Sequence, residues 1–145
     1  MQIATFVATF AVGLFAGAST YVSVVQHPAW VECGPALSVK HFKASTRRAA
    51  ILQGGLAVIG LVSSAVVWFQ TSGVGWLVGG LLLGAMVPFT LVIIKPLNNR
   101  LEDPQLDAGS SEAAALLSGW GKLHAVRTAV GIAALILLVR LTMRR

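Results

Sequence analysis

Residues 49–69 read AAILQGGLAVIGLVSSAVVWF and residues 74–94 read VGWLVGGLLLGAMVPFTLVII, with only QTSG between them. Neither run contains Lys, Arg, Asp or Glu, and each is close to the roughly 20 apolar residues that cross a bilayer as a helix. A connection this short joins antiparallel neighbours. The stretch therefore predicts two adjacent membrane-spanning helices.

The flanking sequence adds one apolar run on each side, residues 3–25 and residues 120–140. Hydrophobic residues make up 56% of the 145 residues and charged residues only 11%, whereas soluble domains carry roughly a quarter charged residues. Such a chain cannot cover a globule with polar side chains. We expect an all-α integral membrane protein, an up-down four-helix bundle in which residues 1–145 form a single membrane domain.

The formal net charge is +6, but the basic residues stand at the ends of the apolar runs, as headgroup anchors do and a nucleic-acid surface does not. The face with the long connections, residues 26–48 and 95–119, carries Lys40, Lys43, Arg47, Arg48, Lys95, Arg100 and Lys122. The opposite face carries Arg140, Arg144 and Arg145. The positive-inside rule favours an inner membrane with the connections in the cytoplasm and both termini outside, although the C-terminal arginine cluster argues for the reverse.

Several local signals refine this topology. The N-terminus has no basic residue before its apolar run, so we expect a retained helix and not a signal peptide. The single cysteine, Cys33, allows neither an internal disulfide nor a thiolate metal site. His27-Pro28 and Gly34-Pro35 are expected to interrupt the helix, and residues 95–119 to form a polar loop. Ser110 is expected to cap the last helix, with Glu112 in its first turn.

Small residues recur at helical spacing and predict close packing of the helices. Gly13 with Gly17, and Gly80 with Gly84, form small-xxx-small pairs, which could equally serve a homo-oligomer. A further small and polar stripe on the second span comprises Gln53, Ala57, Gly60 and Ser64.

The up-down topology gathers distant polar residues at the face of the long connections. Trp120, His124 and Arg127 follow at i, i+4 and i+7 and form one stripe. By the same count His27 shares a face with Gly13, Gly17, Thr20 and Val24, and Asn98 shares one with Gly80, Gly84, Pro88, Leu91 and Lys95. Tyr21, Gln26, Gln53 and Asn99 lie at the same level. We therefore expect the polar ends of these stripes to line a pocket.

Each of these residues also has an ordinary structural role open to it. His27 and Arg127 could extend to headgroups, and Trp120 could belong to the interfacial tryptophan belt. Asn98 and Asn99 could cap a helix end, Arg47 and Arg48 could anchor the topology, and His41 is expected to be solvated. No phosphate loop, dinucleotide fingerprint, zinc helix or nucleophile elbow occurs. Without an acid in any span, a carboxylate metal pair is absent, and only His27 and His124 could together ligate a haem.

Several distinctive segments occur along the chain: GLFAGASTY from Gly13 to Tyr21, HPA from His27, PFT from Pro88, PLNNRL from Pro96, and Trp120-x3-His124-x2-Arg127. Taken together, these segments resemble the anthrone oxygenase-like family of small membrane proteins. They follow the order of the family over nearly the whole chain. The best-understood relatives oxidise an anthrone to an anthraquinone with dioxygen and are thought to need no metal or flavin.

The resemblance implies a pocket for a planar, apolar, phenolic molecule, lined by His27, Asn98, Trp120, His124 and Arg127. It implies an oxygenase in which His124, or secondly His27, is the base, Arg127 stabilises the enolate oxygen and Asn98 binds a carbonyl or peroxide oxygen. Trp120 would stack on the ring, and we expect Tyr21, Gln53 and Asn99 to complete the substrate-binding wall. Two alternatives remain open: a haem- or quinone-binding redox protein, and a non-catalytic carrier or partner protein.

Overall fold

The computed structural model describes residues 2–144; Met1 and Arg145, the last arginine of the basic tail, lie outside this range. The described chain forms four long helices, which are α1 (Gln2–Glu32), α2 (Pro35–Thr71), α3 (Val74–Glu102) and α4 (Ser111–Met143). Each is long and apolar enough to cross a membrane. Helices α1 and α3 each pack against both α2 and α4, so the four follow one another around the bundle. The predicted four-helix membrane bundle is confirmed.

The breaks between helices fall at residues suited to them. Gly34 has φ +87°, a left-handed conformation that favours glycine, and Pro35 then begins α2. The predicted turn between α2 and α3 is confirmed at Ser72 and Gly73, where the Ser72 N–H donates to the Trp68 carbonyl at 2.7 Å. The Ser110 hydroxyl oxygen accepts from the Ala113 N–H at 3.1 Å, which confirms the predicted cap.

The helices run well beyond the predicted spans. The expectation that His27-Pro28 interrupts the helix is wrong, because α1 continues to Glu32. Residues Lys95–Glu102 are also helical, so the polar loop expected over 95–119 is confined to residues 103–110.

Two π-helical segments allow the helices to pass through proline. They are Val22–Gln26 in α1 and Thr90–Ile94 in α3, each ending two residues before a proline. Proline has no N–H and its ring collides with the carbonyl four residues earlier. Those carbonyls belong to Val24 and Val92, which both lie in the wider π turn. The helix therefore bulges locally and does not end.

The inward face of α3 continues from the buried residues Leu83 and Met86 at steps of three or four residues. On α3 the inward positions are Thr90 and Ile94, whereas Leu91 is 56% exposed and Lys95 is exposed. The predicted face with Leu91 and Lys95 beside Asn98 is therefore wrong.

The predicted face of α1 is also wrong, and it already departs from the buried face at Gly17, before the π segment begins. Val24 is 67% exposed and Gly17 is exposed, whereas Phe15 and Ser19 are fully buried. Helix α4 has no π segment, and its predicted stripe is confirmed as buried along its whole length: Trp120, His124, Arg127, Gly131 and Ala134.

The glycine pairs differ in what they contact. A Cβ placed on Gly80 would lie 2.7 Å from the Cβ of Ser64, and one on Gly84 would lie 2.8 Å from a methyl of Leu61. A Cβ on Gly17 would meet nothing within 4 Å. Close packing is thus confirmed for the pair on α3 and for the buried stripe Gln53, Ala57, Gly60 and Ser64, but not for the pair on α1.

The interior has two apolar clusters at different levels. One, towards the termini, contains Phe15, Trp76, Leu83 and Leu138. The other, at the face of the long connections, includes Trp30, Phe42, Leu101, Leu117 and Trp120. The polar side chains buried on α4 lie where these clusters meet.

We predict that Gly80→Ala destabilises the bundle by about 1–3 kcal/mol, because the added methyl overlaps a Cβ that cannot rotate away. The matched change Gly17→Ala should be neutral or stabilising by up to about 1 kcal/mol, since alanine has the higher helix propensity and the methyl meets open space. Thermal unfolding of both variants in one detergent measures the difference. Equal midpoints would contradict the packing described for α3.

Candidate functional site

A cavity of about 440 Å³ lies between α1, α2, α3 and α4 at the level where the two clusters meet. Most of its exposed lining residues come from α2, among them His41, Ala44, Arg48 and Leu52, so the cavity opens beside that helix. The predicted site residues that line it are Gln53, Asn98, Trp120, His124 and Arg127.

The other predicted site residues lie elsewhere. Tyr21 is 58% exposed and Asn99 is exposed, and neither lines the cavity. His27 is half-buried and contacts the cavity wall from behind. Its Nε2–H donates to the Leu117 carbonyl at 2.9 Å, and its ring fills the place where a Cβ on Gly121 would stand. His27 therefore attaches the end of α1 to α4.

Trp120 forms a rigid apolar wall of the cavity. Its indole N–H donates to the side-chain oxygen of Asn98 at 3.0 Å. The ring stacks on the imidazole of His124, with centroids 4.8 Å apart, and meets Phe42 edge-on at 5.4 Å. Only 8% of the residue is exposed, so these contacts fix both the position and the plane of the indole.

A chain of hydroxyl groups determines which nitrogen of His124 carries the proton. The Thr128 hydroxyl lies 3.0 Å from the Ser19 carbonyl and 3.1 Å from that of His124, and these oxygens can only accept. Its single proton goes to them, so the Ser23 hydroxyl, 2.8 Å away, must donate to Thr128. Ser23 then accepts from Nδ1–H of His124 at 2.9 Å.

This chain leaves Nε2 of His124 unprotonated in the neutral imidazole. Nε2 has no hydrogen-bond partner among residues 2–144, and His124 lines the cavity. The residue is only 3% exposed. The cavity therefore contains a proton acceptor of fixed orientation.

Arg127 brings a positive charge to the same cavity with few partners. One terminal nitrogen donates to the Thr90 hydroxyl at 3.3 Å, and the guanidinium carbon lies 5.1 Å from the centre of the Phe15 ring. Its Nε is buried and has no hydrogen-bond partner among the described residues. Burying an unpaired charge costs several kcal/mol. An anionic or oxygen-rich ligand would offset that cost.

No carboxylate compensates this charge. Within residues 2–144 the ion pairs join Arg100 to Asp103 and to Glu112, in and beside the polar loop. The same residues contain no cluster of three His, Cys, Asp or Glu side chains that could hold a metal ion.

Four residues that hold the site in place were not identified from the sequence. Thr128 follows His124 at i+4, a spacing that could have indicated it. Ser23 follows the buried Ser19 at i+4 and Thr90 follows the buried Met86 at i+4, but counting from the glycine pairs placed the inward faces of α1 and α3 elsewhere. Trp30 lines the cavity and stacks on His41 with centroids 6.2 Å apart, so the exposed His41 lies at the opening and is not merely solvated.

Comparison with known proteins adds one match. The profile of a family described as anthrone oxygenase matches residues 42–137, which is more than half of the chain. These residues include Gln53, Asn98, Trp120, His124 and Arg127, whereas His27 and Tyr21 precede them. Neither a curated protein nor a solved structure matches the chain.

We predict that His124 is the Nδ1–H tautomer and that Ser23→Ala removes this preference, because Ser23 supplies the acceptor for that proton. The chain has 3 histidines, so ¹⁵N-histidine labelling gives few imidazole signals and ¹⁵N shifts distinguish the tautomers. Ser118→Ala, which removes an exposed hydroxyl of α4 that does not line the cavity, is the control. An Nε2–H tautomer in the unmodified protein would contradict the hydroxyl chain.

Proposed function

This chain belongs to the anthrone oxygenase family, and we propose that it is a membrane oxygenase that oxidises a planar, apolar phenolic molecule with dioxygen, without a metal or flavin. The observation that carries the proposal is the pairing of an oriented imidazole with an unpaired guanidinium in one buried cavity. A base and an oxyanion partner are the two groups that such a reaction requires of the protein.

The first step is removal of a proton from a ring methylene that is conjugated with the carbonyl through the flanking aromatic rings, as at the central methylene of an anthrone. Nε2 of His124 takes the proton, the C–H bond breaks, and its electron pair delocalises onto the ring oxygen. The enolate formed is an aromatic oxyanion. Arg127 offers it a charge-assisted hydrogen bond, and the water-poor surroundings strengthen that interaction.

The electron-rich enolate can then reduce dioxygen directly. It gives one electron to dioxygen, and the resulting carbon radical and superoxide combine to form a C–O bond. The peroxide anion takes the proton back from His124. Loss of the second C–H proton to His124 breaks the O–O bond, which leaves the new carbonyl and a hydroxide that becomes water. Overall, one methylene and one dioxygen give one carbonyl and one water.

The remaining cavity residues suit binding and orientation. Trp120 presents a fixed apolar wall on which a flat ring could stack, and Asn98 is held beside it by the indole N–H. Gln53 is 3% exposed, and its side-chain oxygen accepts from Ser19 at 3.5 Å, which leaves its amide N–H₂ group to bind a carbonyl or peroxide oxygen. A cavity of about 440 Å³ is of the size that encloses a small polycyclic molecule.

The haem alternative has less support. It needs His27 and His124 to face one space, but His27 does not line the cavity that His124 lines, and its Nε2–H is bonded to the Leu117 carbonyl. The indole of Trp120 contacts both imidazoles, with centroids 5.7 Å from His27 and 4.8 Å from His124. A haem between them would have to displace this buried ring.

We predict that His124→Ala and Arg127→Met each lower kcat/KM for anthrone oxidation by about 100-fold or more, since one removes the base and the other the oxyanion partner. Oxygen uptake and quinone absorbance of purified protein in mild detergent measure the rate above spontaneous oxidation. Arg140→Met, at an exposed arginine of the same helix, is the matched control and should retain full activity.

Full turnover in His124→Ala and Arg127→Met would refute the assignment of both residues. A phenol that binds without oxygen uptake would favour the carrier alternative. A stoichiometric haem or quinone, recognised by absorbance and mass spectrometry of the purified protein, would replace the oxygenase proposal with a redox role.

We further propose that the chain lies in the cytoplasmic membrane with its long connections inside, because most basic residues stand at that face. Cys33, the single cysteine, is exposed at the turn between α1 and α2 on this face. A membrane-impermeant maleimide should therefore label the protein in inverted vesicles and leave it unlabelled in intact cells. Labelling in intact cells alone would reverse the orientation.

A further inference from the structure

A second, smaller cavity meets the first one at Arg127. Its volume is about 150 Å³, and it is shaped mainly by α2 and α3. It shares Ala50, Gln53, Thr90 and Arg127 with the larger cavity, so three polar side chains stand where the two spaces join.

Away from that junction the smaller cavity is apolar and reaches the outer surface of the bundle. Its walls include Ala57, Met86 and Val87, and Leu91 at its edge is 56% exposed. Exposed apolar residues in the span of a membrane helix face lipid. The smaller cavity is therefore a side opening from the hydrocarbon of the bilayer to the guanidinium.

Gly54 keeps this opening wide. It lines the smaller cavity, and a Cβ on it would meet nothing within 4 Å. The glycine is not required for helix packing, as Gly80 is, and its effect is to leave space next to Gln53. A larger side chain here would start in open space and extend into the opening.

The polar end of the smaller cavity is the one with unsatisfied groups. Arg127 is 8% exposed, its Nε lacks a partner among residues 2–144, and its guanidinium lies over Phe15, which lines the smaller cavity. A ligand oxygen placed at Arg127 would thus have a ring-sized space on one side and an apolar channel to lipid on the other.

From this arrangement, and resting on the proposed function, we infer that the substrate is an amphiphilic phenol that carries an alkyl or isoprenoid substituent next to its oxygen. The ring occupies the larger cavity, the oxygen binds Arg127, and the hydrocarbon substituent passes between α2 and α3 into the bilayer. The substituent must be attached beside the oxygen, because both have to meet the same junction. Gly54 is then a specificity-determining residue.

The test compares two ligands and two glycine variants by their dissociation constants. The ligands are 1-naphthol and 2-hexyl-1-naphthol, bound to the full chain in nanodiscs and followed by tryptophan fluorescence. Gly54→Leu fills the side opening. Gly55→Leu is the matched control, because Gly55 is exposed, does not line the cavity, and has equal space around its Cβ.

We expect Gly54→Leu to raise the dissociation constant of the hexyl compound about tenfold or more and to change that of 1-naphthol by no more than about twofold. Gly55→Leu should change neither dissociation constant. Partitioning into lipid cancels in these ratios, since each ligand is compared with itself. An equal loss for both ligands, or no loss for either, would overturn the inference. Arg127→Met separates the two proposals. If it weakens the binding of 1-naphthol, while Gly54→Leu does not weaken the binding of the hexyl compound selectively, only the inferred substituent is wrong. If 1-naphthol does not bind, or if its binding does not depend on Arg127, the proposed function fails as well.

Discussion

In the hydrocarbon of a bilayer a helix has to satisfy its own backbone, because no water is present to do so. Proline works against this requirement, and the chain places Pro28 and Pro96 within its helices α1 and α3. The wider π turns before them make room for the proline ring beside the carbonyl four residues earlier, so that neither helix ends at its proline. The geometry of the site depends on this continuity, because His27 reaches Leu117 and Gly121 of α4 from beyond one π segment and Asn98 lines the cavity from beyond the other.

The polar groups of the site are arranged around a charge that the protein leaves uncompensated. Arg127 has a single hydroxyl partner, Thr90, and an aromatic face, Phe15, among the described residues. The hydroxyl groups beside it are better satisfied, since Ser23, Thr128 and Nδ1 of His124 form a continuous series of hydrogen bonds. The hydroxyl chain therefore stabilises the bundle by itself, whereas the guanidinium of Arg127 lacks a compensating charge until a ligand binds.

How far the sequence predicted the structure depended on the residues from which each helix face was counted. Apolar runs of spanning length were sufficient for the four helices, because length and composition alone determine which segments cross a membrane. On α4, regular spacing identified Trp120, His124 and Arg127 correctly. On α1 and α3 the counting started from the glycine pairs and chose Val24 and Leu91, which face outward, because small residues do not specify which side of a helix is buried.

The predicted site residues that do not line the cavity were also misplaced for physical reasons. Tyr21 and Asn99 were selected because of their level in the membrane, but level does not specify the side of a helix. His27 was selected for its chemistry, and its contact with Gly121 depends on how closely α1 approaches α4, which no sequence spacing reports. Gln53, in contrast, lies on a regular part of α2 and was found.

The extra residue in each π segment has a consequence for how such chains can diverge. Removing one residue there would restore an ordinary α-helix and would keep every backbone group satisfied, yet it would turn everything beyond it by about 100°. Around Val22–Gln26 that rotation would move His27 away from α4, and around Thr90–Ile94 it would carry Asn98 out of the cavity. At these two places the insertion or deletion of one residue changes which side chains face the interior. Related bundles can therefore present different side chains to the same cavity by a change of length, without substituting the side chains themselves.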